Sequence, residues 1–271
     1  MVHTLPEGEP VWGVTTFAGE IFLLRQKGRD QLEVYDVITY RQLRRHTVPD
    51  LGSIYIDMTS CAHAVCIYIS DFNGICVHRF EVQATAFTQW TTQDRPNGLS
   101  VNDSHNVLVT CPEVRNIKEF SSHGVLLREL TLPDDVIHPW HTIRTRENEF
   151  LVCHGGSGDA VHRVCKMSAD GRHIVHSHGG QPGSGHGQYN VPARLAVDDN
   201  EFVFVADRRN RRVRLLSPSL GHVRDIVSRD QLRWRPRRLC FDSQRRRLYV
   251  ADNQWLFGRW STSGRVVVFS V

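Results

Sequence analysis

The sequence predicts an all-β protein, a six-bladed β-propeller of four-stranded antiparallel blades, formed as a single domain over residues 1–271. Three observations predict it. A unit recurs at about forty residues, the mark of a repeat architecture. Its second strand is apolar on both faces, as in Phe202-Val203-Phe204-Val205 and Val107-Leu108-Val109. A sheet with one wet face would alternate instead, so each sheet must be covered on both sides, as radially stacked blades are. Finally, no segment sustains the 3.6-residue apolar period of an amphipathic helix.

Dividing the chain at the Pro or Gly before each first strand gives units at about 11–50, 51–94, 95–136, 137–190, 191–234 and 235–271. In the first, apolar runs at 11–17, 20–25, 31–38 and 42–48 read as four strands. In the third the runs are 98–102, 106–110, 117–120 and 126–130, and in the sixth 238–242, 248–251, 256–260 and 266–271. Turn formers separate them, among them Asp103-Ser104-His105-Asn106, Ala169-Asp170-Gly171 and Thr262-Ser263-Gly264. Because the sixth unit supplies four runs of its own, in-phase ring closure is expected, with residues 1–5 loose or lying against the ring. Asp57, Asp198 and Asp242 read as turn formers at the far ends of first strands.

The best-preserved unit runs Gly183-x-Gly185-x-Gly187-Gln188-Tyr189, Pro192-x-x-Leu195-Ala196-Val197-Asp198, Val205-Ala206-Asp207-x-x-Asn210-x-Arg212-Val213. The sixth unit repeats Pro236, Asp242 and Val250-Ala251-Asp252-Asn253. The second keeps Ile69-Ser70-Asp71-x-Asn73, and the third keeps Pro96-x-Gly98-Leu99-Ser100-Val101; the first and fourth are degenerate. This grammar resembles the NHL repeat, as in the propeller of tripartite-motif proteins. The resemblance implies a propeller that binds RNA or protein on one face.

Composition points to a globular chain, 40% apolar and 23% charged. No apolar run approaches a membrane span. The first ten residues lack the basic and hydrophobic regions of a signal peptide. Seven cysteines without regular spacing then read as reduced thiols filling strands, and a cytoplasmic location is expected. Net charge is only +4, but residues 191–247 hold 15 Arg against 7 Asp plus Glu. Such asymmetry suggests an anionic partner.

The loops between blades and those between second and third strands share one face. There the sequence gathers Asn97, Arg115, Tyr189, Arg194, Arg208, Arg209, Arg211, Trp234, Arg235, Arg237, Arg238 and Trp255. Guanidinium groups suit phosphates and aromatic rings stack on bases. The leading expectation is therefore a non-enzymatic module, monomeric as an isolated domain and without a cofactor, that binds single-stranded RNA or an acidic protein surface. Phosphate contacts would come from Arg194, Arg209, Arg211, Arg237 and Arg238, and stacking from Tyr189, Trp234 and Trp255. The bland alternative is a solvated rim whose arginine stems pack on neighbouring blades. Protein binding without nucleic acid is the second function considered.

A third is a metal-dependent lyase or hydrolase: eight of 15 histidines fall in 138–186, and the resemblance extends to six-bladed propellers that are zinc lyases, which implies histidines around the central channel. Only His138 and His141 occupy first-strand starts, too few for a three-ligand centre, so no metal is assigned. HExxH, GxSxG and P-loop patterns are absent from the sequence.

Overall fold

A computed structural model describes residues 1–27, 29–49, 57–254 and 263–271. Its 24 strands form six four-stranded antiparallel sheets. Blade 1 is β2 (Val11–Phe17), β3 (Glu20–Lys27), β4 (Arg29–Asp36) and β5 (Gln42–Thr47). Blade 2 is β6 (Met58–Cys61), β7 (Cys66–Asp71), β8 (Cys76–Glu81) and β9 (Ala86–Thr91). Blade 3 is β10 (Gly98–Val101), β11 (Val107–Cys111), β12 (Asn116–Phe120) and β13 (Leu126–Thr131). Blade 4 is β14 (Pro139–Arg144), β15 (Phe150–His154), β16 (His162–Met167) and β17 (Ile174–Gly180). Blade 5 is β18 (Pro192–Val197), β19 (Val203–Asp207), β20 (Arg212–Leu216) and β21 (His222–Val227). In blade 6, β22 (Arg235–Asp242), β23 (Arg247–Asn253) and β24 (Gly264–Ser270) are joined by β1 (His3–Thr4). No helix of the described residues is long and apolar enough to cross a membrane.

The first strands β2, β6, β10, β14, β18 and β22 touch in a closed ring around the central channel. The ring closes because every blade buries both of its faces. Six apolar clusters fill the six interblade spaces. One joins Phe22 and Leu24 of blade 1 to Ile67 and Ile69 of blade 2; another joins Phe204 of blade 5 to Val250 of blade 6. This is why the second strands are apolar on both sides: every residue of β7, β11, β15 and β19 is buried. The outermost strands instead face water, and β5 and β13 each alternate exposed and half-buried residues over much of their length.

Closure corrects one expectation. The terminal run near 266–271 is the third strand of blade 6, not the fourth; the outer place is taken by β1, with His3 opposite Val268 and Thr4 opposite Val267. The run at 256–260 lies outside the described residues. Pairing alone would be a weak latch at two residues, so packing and polar clamps carry the rest. Leu5 is wholly buried between blades 1 and 6. Arg25, itself buried against Glu33 at 2.8 Å, donates to the carbonyls of Pro6 at 2.8 Å and Glu9 at 2.5 Å. The first and last parts of the chain are thereby held in one sheet.

Candidate functional site: a charged ring beneath a basic channel mouth

Four inner strands begin with the same irregularity. Register shifts between Val11 and Gly13, Pro139 and His141, Pro192 and Arg194, and Pro236 and Arg238 leave one extra residue on the inner strand. Such a bulge re-aims the side chain that follows it. Placed by their partners on the second strands, the equivalent residues around the ring are Gly13, Asp57, Gly98, His141, Arg194 and Arg238. The glycines leave room for the next blade: a Cβ on Gly98 would lie 2.5 Å from the Trp140 carbonyl, and one on Gly13 2.6 Å from Met58 Cβ.

The other four form a buried polar plug. Asp57 Oδ2 lies 3.2 Å from Arg194 Nε and 3.8 Å from His141 Nε2, while Oδ1 lies 3.3 Å from Arg238 Nε. The backbone N–H of Leu99 donates to Oδ2 at 2.9 Å. Arg238 also donates to the Trp12 carbonyl at 2.6 Å, and Arg194 to the Asn97 side-chain oxygen at 2.8 Å. Burial pushes the Asp57 carboxyl up, but the two guanidiniums outweigh it and hold the group below its usual range. His141 is driven down to about 4, chiefly by burial, and is neutral at pH 7. Burial and the Arg194 charge also push Arg238 well down from the usual guanidinium value, against the pull of Asp57. Two guanidiniums thus face a single carboxylate. A metal cation here would meet the repulsion of both guanidiniums. Below it a cavity of about 280 Å³ runs along the inner strands, lined by Thr15, Thr16, Ser60, Ser100 and Cys240.

The sequence places Asp57 at the far end of a first strand, as a turn former; in the structure it heads β6 instead and so reaches the ring. Its carbonyl accepts the Ser70 N–H at 3.0 Å, and its own N–H donates to Ser70 Oγ at 2.9 Å. A signal existed. Arg238 precedes Asp252 by fourteen residues, and fourteen residues before the matching Asp71 stands Asp57.

The structure divides the sequence-derived site residues. Arg194 and Arg238 belong to the plug, and Asn97 is buried beside it. Arg237 is the extra residue of its bulge, buried with its guanidinium 4.9 Å from the Trp12 ring centre. Tyr189 is wholly buried in the core between blades 4 and 5, with Arg214 over its ring at 5.3 Å. These five side chains are therefore not on the exposed face. The reason is the bulge and the interblade seam, which turn first-strand residues inward. Arg115 is paired with Asp134 at 2.7 Å in blade 3. His138 is exposed, 2.8 Å from Asp159, and His141 is turned to the Leu99 carbonyl at 2.9 Å, so the two do not converge. Trp255 lies outside the described residues.

What remains at the mouth is a compact set from blades 5 and 6. Arg209 is exposed and donates to Ser157 Oγ at 2.6 Å; Arg211 donates to the carbonyls of Leu232 and Arg233. All three acceptors are neutral. Arg235 is half-buried, and its guanidinium is pushed down by burial and then by the charges of Arg209 and Arg211. The charge of Arg208 in turn reaches down to Arg238. Trp234 is half-buried between Arg233, 4.7 Å from its ring centre, and Arg265 at 5.9 Å.

The carbonyls around Arg211 solvate its charge without cancelling it. No family model matches the chain, and no curated protein matches it in sequence. Solved structures do resemble it. Hydrazine synthase of Kuenenia stuttgartiensis superposes with a TM-score of 0.66 at 13% identity, over 100% of this chain and 98% of that one. A catalytically inactive virginiamycin B lyase from Staphylococcus aureus, solved with quinupristin, gives 0.64 at 11% identity, over 95% and 84%. A Bacteroides thetaiotaomicron protein of unknown function gives 0.70 at 14%, over 97% and 70%. At such identities the likeness is one of fold: the chain is similar to six-bladed β-propellers that include enzymes, and the architecture suits a binding or interaction module as well.

Proposed function

We propose that the protein is an interaction module whose basic channel mouth, on blades 5 and 6, binds an acidic protein segment. The observation that carries this reading is the clustering of Arg209, Arg211 and Arg235, close enough for the first two to depress the third. Like charges held together cost free energy unless something anionic meets them. Carboxylates suit the site better than RNA does. Base stacking needs open aromatic faces, whereas Tyr189 is buried and Trp234 is flanked by Arg233 and Arg265.

The test is calorimetric titration with a polyglutamate peptide and, separately, with a uridine oligonucleotide, at two salt concentrations. Peptide binding should weaken with salt and fall at least tenfold in Arg209→Glu/Arg235→Glu. Tighter oligonucleotide than peptide binding, abolished by the same variant, would favour the RNA reading. Peptide affinity unchanged by the double reversal would reject the mouth as the binding surface.

A further inference from the structure

A second constellation lies in blade 2, away from the channel mouth. Asp71 ends β7, and Cys76 and His78 lie two apart on β8, so their side chains share one face of the sheet. Register places Asp71 directly opposite Cys76. All three are buried, at 1%, 8% and 2% exposure. His78 Nε2 stands 3.5 Å from Cys76 Sγ and 3.7 Å from Asp71 Oδ2, and the three ligand atoms lie within 4.8 Å of one another.

We propose that Asp71, Cys76 and His78 form a binding site for a divalent transition-metal ion, zinc by preference. Two independent features lead there. The first is geometry. Zinc bonds of about 2.0–2.3 Å to O, N and S at tetrahedral angles separate the ligand atoms by roughly 3.3–3.6 Å. The N–S and N–O separations here are already close to that. The 3.7 Å gap between the imidazole nitrogen and the carboxylate is too long for a hydrogen bond, whereas all three atoms can bring lone pairs to one ion. The second is the repeat. In blades 5 and 6 the Asp at the equivalent position is met by an arginine directly across the sheet, Asp207 by Arg212 at 2.8 Å and Asp252 by Arg265 at 3.0 Å. Blade 2 has Cys76 in that place. The cysteine puts a soft donor where those blades carry an arginine, and its thiol gives up its proton to solvent as the metal–sulfur bond forms.

The mixed O, N and S donor set favours zinc over magnesium or calcium, which take oxygen ligands. Gln89, opposite His78 on β9, brings its amide oxygen to 3.9 Å from Cys76 Sγ and is placed to complete the shell.

The experiment loads the full chain, stripped with chelator and held reduced, with cobalt(II) and then zinc. One equivalent of cobalt should produce a thiolate-to-cobalt charge-transfer band and the visible bands of a tetrahedral site, and zinc should displace it. Cys76→Ser should remove the charge-transfer band, His78→Gln should weaken affinity at least tenfold, and Cys165→Ser, another buried thiol, should change neither. Wild-type protein that gives no charge-transfer band overturns the proposal, as does a band that survives Cys76→Ser. The wild-type titration stands even if a variant folds poorly.

Discussion

Asp57→Asn isolates the charge at the centre of the plug. The substitution keeps the shape, and the amide oxygen still accepts the Leu99 N–H. What it removes is the one carboxylate that Arg194 and Arg238 share at 3.2 and 3.3 Å. Those guanidiniums are only 2% and 5% exposed and cannot turn to water. Removing one partner of a buried pair costs about 3–5 kcal/mol, because the other charge stays buried; with two charges left, the upper end is expected. At about 2–4 °C per kcal/mol, Tm should drop by roughly 6–20 °C. Urea titration followed by tryptophan fluorescence gives the free energy directly. Adding Arg238→Met to Asp57→Asn should recover part of the loss, since one unmatched charge goes with it and contacting residues are not additive. A loss under about 1 kcal/mol, or a double variant equal to the sum of the singles, would refute the account of the ring.

Two further outcomes follow from the same structure. Leu5→Ala should destabilise by about 2–5 kcal/mol, because Leu5 is wholly buried between the first and last blades, whereas Val2→Ala, at a site 44% exposed, should be near neutral; equal urea midpoints for the two would remove the N-terminal latch. His141 and His154 are both pushed down to about 4, mainly by burial. Between their ordinary value near 6.5 and 4, the unfolded chain binds protons that the folded one does not. Stability should therefore fall as pH drops from about 6.5 to 4, by up to about 3 kcal/mol per histidine. His154→Gln should flatten that slope in urea titrations at stepped pH, and a flat wild-type profile across the window would contradict the burial argument. Asp57 acts later: its depressed pKa keeps its contribution until pH falls below the ordinary carboxylate range.

The architecture was legible because it is written redundantly. Both-face apolarity in β7, β11, β15 and β19, with turn formers at fixed offsets, leaves stacked blades as the economical answer. Closure was not legible, because the outer strand of blade 6 is two residues of unremarkable sequence, His3-Thr4, whose role depends on the distant Val267 and Val268. The site was half legible. The arginine excess pointed to blades 5 and 6, yet sequence could not say which arginines face water. Arg209 and Arg211 sit in a turn after β19 and stay near the surface. Arg194, Arg237 and Arg238 follow or form bulges that turn them inward. One residue of register decides between solvent and core, and a bulge is that residue.

The repeat holds the backbone sixfold while letting each equivalent position take its own chemistry. At the inner ring the six residues are Gly13, Asp57, Gly98, His141, Arg194 and Arg238. The two glycines cannot be replaced without a Cβ striking the next blade, so charge can only enter from the remaining positions. Arginine occupies adjacent blades 5 and 6, and the plug's positive charge lies under the same side that carries Arg209, Arg211 and Arg235 above. At the end of the second strand the residues are Arg25, Asp71, Cys111, His154, Asp207 and Asp252, which face Gln31, Cys76, Asn116, Arg163, Arg212 and Arg265 on the third strand. Where the repeat keeps Asp with Arg across from it, that pair is explained by the blade alone. Where it departs, as with Cys76 opposite Asp71, the position is open to other chemistry, and in blade 2 that chemistry is the proposed metal site. The two proposals therefore separate cleanly. Reversing charge at the mouth leaves the blade 2 cluster untouched, and Cys76→Ser leaves the mouth untouched. If either substitution changed both acidic-peptide binding and cobalt spectra, the premise that each blade adapts its own positions independently would fail.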